Sequence, residues 1–224
     1  MVKRIIKKIF FSKLSRKREI EFLKKHSSDL KTLEIGAKSK ANVQYFPNLT
    51  TLNVDSGKEV DIVADAENLE EVVRDQCFDV VLCISVLEHT KHPIKIVENI
   101  KRILKKEGIV IVSVPFIMSL HDTPGDYWRF TRYGLLELFE GFELVEIKDY
   151  TNSLETIGYL YHRLFLQTKG FTKISNLFFF FLSKINYFLS RIIKNKEFGH
   201  YFTYKEKRQE INILTTNIMA VFKK

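Results

Sequence analysis

Two runs of apolar residues constrain this chain most. Asp79–Ile84 and Ile109–Val114 carry almost no polar side chain after their first residues. Strands of this kind have no face to show to water, so they fit a parallel sheet covered on both sides. Between them, Pro93–Leu104 reads as a helix, with Ile94, Val97, Ile100, Ile103 and Leu104 on one side. The Lys105-Lys106-Glu107-Gly108 stretch should end it, with Gly108 as the left-handed cap. Further strand-like runs fall at Thr32–Ile35, Thr51–Val54, Asp61–Val63, Phe142–Tyr150 and Ile213–Phe222. Strands alternating with helices predict an open, mostly parallel α/β sheet. A chain of 224 residues supplies one sizeable core rather than two.

The ends differ from the middle. Residues 1–26 hold ten Lys/Arg against two Glu, and residues 151–212 hold ten against four. Residues 27–150 hold fourteen against twenty-one Asp/Glu, so the +9 net charge lies in the flanks. We therefore divide the chain into a basic extension (1–26), a core (27–150), an aromatic-rich helical insertion (151–212) and a last strand (213–224). Residues 2–14 read as an amphipathic helix, with Val2, Ile5, Ile6, Ile9 and Phe10 opposite Lys3, Arg4, Lys7 and Lys8. Packing on the core and lying on a membrane surface are its two alternatives. Ile174–Ile193 has transmembrane length, but Lys184, Asn186 and Arg191 interrupt it and its unbroken apolar run is only Leu177–Leu182. A wide-faced amphipathic helix is expected there, packed on the core, at a homodimer interface, or on a bilayer surface. Basic flanks around an acidic middle favour an anionic membrane surface over nucleic acid, which would draw positive charge to the cleft. Ile9-Phe10-Phe11 is too short for a secretory signal. Two cysteines, Cys77 and Cys83, form no disulfide framework or zinc pattern, and a cytoplasmic location is expected.

The strand ends carry the ligand chemistry. The first strand runs into Glu34-Ile35-Gly36-Ala37-Lys38, and Asp55 follows the second, about 20 positions past the first loop. At that spacing a carboxylate can accept both hydroxyls of a ribose, while Gly36 lets the backbone approach the ligand. By itself, such an acid is also a common surface residue. The single glycine departs from Gly-x-Gly-x-x-Gly, which disfavours a pyrophosphate and hence a nicotinamide dehydrogenase. Asp65, after the third strand, could accept from an adenine amino group, with the Ala66 NH on a ring nitrogen. A helix N-cap is the equal alternative for Asp65.

Taken in order, Glu34-Ile35-Gly36, Asp55, Asp65-Ala66-Glu67, the Phe78–His89 stretch ending Leu87-Glu88-His89, and Leu104–Gly108 resemble class I S-adenosylmethionine-dependent methyltransferases. The resemblance covers residues 30–150. It implies a Rossmann-like, seven-stranded sheet whose last strand is antiparallel, with S-adenosylmethionine as cofactor. It places Glu34, Gly36 and Ala37 by the methionine moiety, Asp55 on the ribose, Asp65 and Ala66 on the adenine, and Cys83 near the cofactor. Lys38 stands where the family usually has a second glycine, which raises the alternative of a cofactor-binding protein with little or no turnover. Ubiquinone-pathway O-methyltransferases bind a divalent metal through Glu-x-x-Glu-His. Ser85 occupies the first Glu position here, so no metal is expected, and His89 should cap the next helix or line the cleft.

After the Ile109–Val114 run comes His121-Asp122-Thr123-Pro124-Gly125-Asp126-Tyr127-Trp128-Arg129-Phe130-Thr131. This loop follows the carboxyl end of a strand, where open α/β sheets bind ligands. It resembles a stretch in methyltransferases associated with bacterial surface-polysaccharide synthesis. That resemblance implies a small-molecule or lipid-linked saccharide acceptor. Arg129 would meet a phosphate or carboxylate, Tyr127 or Trp128 would stack on a sugar, and His89 and Asp126 would line the site. The alternative pairs Asp126 with Arg129 and buries Trp128 in the core. A sugar hydroxyl profits from a base near neutrality, for which His121 is the first candidate, with Asp122 as substitute or orienting group. An RNA methyltransferase is a further alternative, motivated by the sequence pI of 9.4. The acidic middle and the lack of an Asn-Pro-Pro-Tyr-like motif count against it.

Overall fold

The two apolar runs are neighbouring parallel strands in a computed structural model of the chain, which describes residues 11–167, 173–193 and 214–224. Seven strands form one sheet: β1 (Thr32–Ile35), β2 (Leu49–Asn53), β3 (Ile62–Val63), β4 (Phe78–Ile84), β5 (Leu104–Pro115), β6 (Glu143–Asp149) and β7 (Asn217–Lys223). Their spatial order is β3-β2-β1-β4-β5-β7-β6. Ladders β3–β2, β2–β1, β1–β4 and β4–β5 are parallel. β7 runs antiparallel between β5 and β6. At its far end the Lys224 amide donates to the Gly108 carbonyl at 2.9 Å. The mostly parallel sheet with an antiparallel last strand, and helices inserted before it, is the architecture expected.

β1 and β4 are the centre of the core, and Leu33, Ile35, Val80, Val81, Leu82 and Cys83 are essentially inaccessible. Helix α2 (Pro93–Ile103) buries Pro93, Ile96, Val97, Ile100 and Ile103. This corrects the expected face: Ile94 is 63% exposed, because it lies roughly 100° around the helix from Pro93. Leu104 already belongs to β5. The left-handed residue after the helix is Glu107, at φ 66, and Gly108 is needed for room instead. A Cβ on Gly108 would come within 3.0 Å of the Lys105 carbonyl and 3.1 Å of that of Asp79. Lys105–Gly108 bulge between the pairs Phe78↔Leu104 and Val80↔Ile109.

Two compact units make up the chain. The sheet, α2 and α3 (Arg132–Leu138) belong to the first, made of residues 21–115, 120–148 and 218–224. Among described residues, the second contains 11–20, 116–119, 149–167, 173–193 and 214–217. It holds helices α4 (Ser153–Gln167) and α5 (Lys173–Ile192). Within it Arg18 grips Glu155 through two bonds of 2.7 and 2.8 Å. Phe165 packs on Phe180, and Tyr161 stacks on Phe179. The expected helix over Ile174–Ile193 is α5. Most of the expected helix 2–14 lies outside the described residues, whose first helix, α1, spans Phe11–Lys25. Residues 168–172 and 194–213 of the insertion also lie outside them. No helix among the described residues is long and apolar enough to cross a membrane.

Candidate active site

The carboxyl ends of β1, β2 and β4 meet at the Gly36 turn. Gly36 has φ 76, and a Cβ there would stand 2.6 Å from Cγ2 of Val86. Both facts demand glycine. The Gly36 and Ala37 amides donate to the Leu52 carbonyl at 2.7 and 3.1 Å. Asn53, buried at the end of β2, donates to the Gly36 and Ala37 carbonyls at 3.4 and 3.2 Å, while its Oδ1 accepts from the Asp55 amide at 3.1 Å. One side-chain amide thus ties the glycine turn to Asp55, whose own residue is exposed. Glu34 is buried, and its Oε1 accepts from Asn42 at 2.8 Å. Sequence reasoning does not single out Asn42 or Asn53. Nothing in their spacing marks them, because their role is to hold neighbours.

Asp65 caps the 3-10 helix Ala66–Glu71, accepting from the Glu67 amide at 2.9 Å. The capping alternative therefore describes one of its carboxylate oxygens. Glu67 accepts from the Thr90 hydroxyl and from the Lys91 and His92 amides, fixing the loop before α2. Cys83 lies near the carboxyl end of β4. Its side chain is fully enclosed between β1 and β5, and burial pushes the thiol far up, with the nearby Glu88 charge adding to the shift.

A second cluster stands where β4 and β5 end. Glu88 and His89 lie on the 3-10 turn Leu87–His89, and His121 comes from the loop after β5. The Glu88 carbonyl accepts from the Tyr127 and Trp128 amides at 2.8 and 3.3 Å, which locks that loop to the turn. Glu88 is 1% exposed, and burial pushes its carboxyl up to about 7. His89 Nδ1 donates to the Gly125 carbonyl at 2.7 Å. It therefore does not cap α2, which begins after His92. His121 meets His89 edge to face at 4.9 Å. Its Nδ1 lies 3.4 Å from Asp126 Oδ2 and its Nε2 lies 3.9 Å from Glu88 Oε1. The His121 amide also donates to Asp126 Oδ2 at 2.9 Å.

Asp126 and Arg129, both expected to meet an acceptor, face each other through bonds of 2.6 and 2.7 Å. That pair holds the Asp126 carboxyl well below the usual carboxylate range. Asp122 is exposed at φ 48, and the carboxylate beside His121 Nδ1 is that of Asp126. Trp128 is not core: it is 43% exposed, with its indole NH on the Thr90 carbonyl at 2.8 Å, and Tyr127 is 47% exposed. Trp128 also forms one wall of a groove of about 880 Å³ that includes Pro93, Val97, Phe130 and Leu138.

Comparison with known proteins follows the same line. A family model described as a methyltransferase domain matches residues 7–159. An uncharacterized protein of Methanocaldococcus jannaschii, MJ1123, is 32% identical over 106 residues, 44% of this chain. The match spans about half (51%) of that relative's length. Among solved structures, a SAM-dependent methyltransferase from Archaeoglobus fulgidus aligns with a TM-score of 0.56 at 14% identity, covering 94% of this chain and 92% of that one. A methyltransferase-like protein of Bacillus halodurans C-125 gives 0.54 at 12%, covering 92% and 98%. The [4+2]-cyclase SpnF gives 0.56 at 14%, covering 92% and 80%. At such identities these three share the fold, and the cyclase shows that the fold hosts more than one chemistry. The family match covers well over half the chain, which therefore belongs to the methyltransferase domain family and carries an S-adenosylmethionine-dependent methyltransferase domain.

Proposed function

We propose that the protein transfers the methyl group of S-adenosylmethionine to a hydroxyl of a saccharide or lipid-linked saccharide. The observation that carries this reading is the His121 ring, held by Asp126 beside a buried carboxyl, on the same loop as the exposed Tyr127 and Trp128. The sulfonium is an activated methyl donor, so a dry cleft that aligns the acceptor does most of the work. A carboxylate acceptor would need no help in losing a proton. An alcohol does, and His121 is the group at which that hydroxyl is activated. Asp126 takes the orienting role expected of Asp122. Tyr127 and Trp128 offer their faces to a sugar ring. His89 lines the site, and Arg129 acts through Asp126. On the cofactor side, Gly36 and Ala37 admit the methionine moiety beside Glu34, Asp55 receives the ribose, and Asp65 with Ala66 borders the adenine.

The same reading places the protein on the cytoplasmic face of a membrane. Leu177, Phe178, Phe181, Ile185, Phe188 and Ile192 of α5 are exposed and recur at three- and four-residue spacing. Lys184 and Arg191 lie on the same helix, and each cation near an anionic surface contributes roughly 1 kcal/mol. A lipid-linked acceptor would be met there.

Methyl-labelled S-adenosylmethionine, offered with lipid-extracted glycans, soluble polysaccharide and total RNA in parallel, tests the acceptor. Label in a glycan fraction is expected. Label in RNA alone, or in none while calorimetry shows tight S-adenosylhomocysteine binding, would overturn the reading. Co-sedimentation with anionic vesicles at low salt tests the location. A protein that stays in the supernatant as a dimer would assign the α5 face to a second copy.

A further inference from the structure

We infer that Glu88, His89 and His121 form a seat for one divalent ion of the zinc class. One ligand atom from each lies within 4.8 Å of the other two. Both carboxylate oxygens of Glu88 are enclosed, and neither has a hydrogen-bond partner in another residue. Buried acceptors without donors are rare and costly, and a cation satisfies both at once.

The two imidazoles are prepared in the way that metal-binding histidines are. A carbonyl oxygen only accepts, so His89 Nδ1 carries the proton toward Gly125 and its Nε2 keeps the lone pair. His121 turns Nδ1 toward the Asp126 carboxylate and Nε2 toward Glu88. That gives the carboxylate–histidine–metal order in which an outer carboxylate fixes the ring and raises its basicity. Arg129 holds that outer carboxylate in turn. The 3.9 Å between His121 Nε2 and Glu88 Oε1 is too long for a hydrogen bond. Ligands sharing a tetrahedral zinc stand roughly 3.3 Å apart, so the three side chains would draw together on binding. Two imidazoles and one carboxylate leave a position open, as in catalytic zinc sites. Glu88 and His89 alone are a poor seat, as the sequence indicated. His121, thirty-two residues beyond His89, completes it.

Binding of the ion stands apart from the proposed reaction, but its use there rests on that reading. In the open position the acceptor hydroxyl would be acidified by the ion, with His121 acting as ligand rather than as base. The hydroxyl proton leaves to water, the O–CH3 bond forms, and the CH3–S bond breaks with its electron pair left on sulfur.

Full-length protein stripped with a chelator and titrated with Zn2+ or Co2+ tests the seat. One ion per chain at micromolar concentration is expected, with a visible Co2+ spectrum of low coordination number and a zinc-dependent rise in Tm. Glu88→Gln, His89→Ala and His121→Ala should each weaken binding about tenfold or more. His92→Gln, outside the cluster, should leave binding intact. Glu88→Gln removes a buried charge, so its metal-free form should melt no lower than the parent. Failure of the stripped protein to take up stoichiometric ion, or uptake that survives Glu88→Gln and His121→Ala together, would overturn the seat. Methyl transfer persisting in chelator with no ion bound would overturn the ion's part in the reaction and leave the acceptor reading standing. A bound ion without glycan methylation would do the reverse.

Discussion

The two halves of the proposed site are built on different principles. On the cofactor half, Gly36, Ala37 and Asp55 are held by backbone bonds and the single amide of Asn53, all at the ends of adjacent strands. On the acceptor half, Glu88, His89, His121, Asp126 and Arg129 are side chains from two loops, carrying buried charge and held by one another. A half that meets one constant ligand can be made of strand-end backbone, where shape is fixed. A half that selects an acceptor is better made of loop side chains, which can change without disturbing the sheet. The first should be intolerant of added volume, and the second of removed charge.

The largest effect is expected from Gly36→Ala. The new Cβ would sit 2.6 Å from Val86 Cγ2 on a backbone at φ 76, where an L side chain is already strained. Strain and overpacking together should cost about 3 kcal/mol in denaturant unfolding, and S-adenosylhomocysteine binding should fall at least about tenfold. A variant that kept both values would show that Val86 moves aside easily and that the cofactor half is not shape-limited.

Asp126→Asn should come next, on the other half. It removes a two-pronged bond to Arg129 and the partner of His121. Charge-assisted bonds of this kind put the loss at about 2 kcal/mol. The sign of its pH dependence follows from the direction of the shift. Asp126 titrates lower in the folded protein than in the unfolded chain, where an aspartate lies near about 3.9. Its stabilisation is therefore complete above that value and is lost as pH falls through the folded value. Urea midpoints measured across the acid range should show a shallower loss for the Asn variant. Parallel acid limbs would mean that the Asp126–Arg129 pair adds little.

The same contrast explains what can be read from the sequence. β4 is legible to within one residue, and β5 from Ile109 onward, five residues after its start, because covered parallel strands leave unmistakable apolar runs. The places of Gly36 and Asp55, just past the ends of β1 and β2, are legible because consecutive strands set their spacing. Ile94 misleads because an isoleucine one position off the stripe looks like part of it. Gly108 misleads because a glycine after a helix can serve close approach instead of a left-handed turn. The acceptor half is legible as a concentration of residue types but not as an arrangement. That Asp126 rather than Asp122 stands beside His121, and that His121 approaches the buried Glu88, depends on how the 116–131 loop returns to the turn after β4. Hydrogen bonds from Tyr127 and Trp128 to the Glu88 carbonyl decide that, and no spacing rule encodes them.

The smallest expected effect sharpens the cofactor half. Lys38 occupies the family's second glycine position, which raises the thought of a lapsed enzyme. Glycine is demanded where φ is positive or where an atom approaches too closely. Among the described residues other than glycine, positive φ occurs at Gln76, Ser85, Glu107 and Asp122, and Lys38 is not one of them. Lys38 is also exposed, one step beyond the buried Ala37. Lys38→Gly should therefore change S-adenosylhomocysteine affinity by less than about threefold, which is under about 0.7 kcal/mol. Unfolding should lose about 0.5 kcal/mol, through the added freedom of the unfolded chain. Calorimetry and urea melts on the one variant read both. A tenfold gain in affinity would mean that the lysine side chain obstructs the cofactor, so that this half too is tuned by a side chain and not by backbone alone.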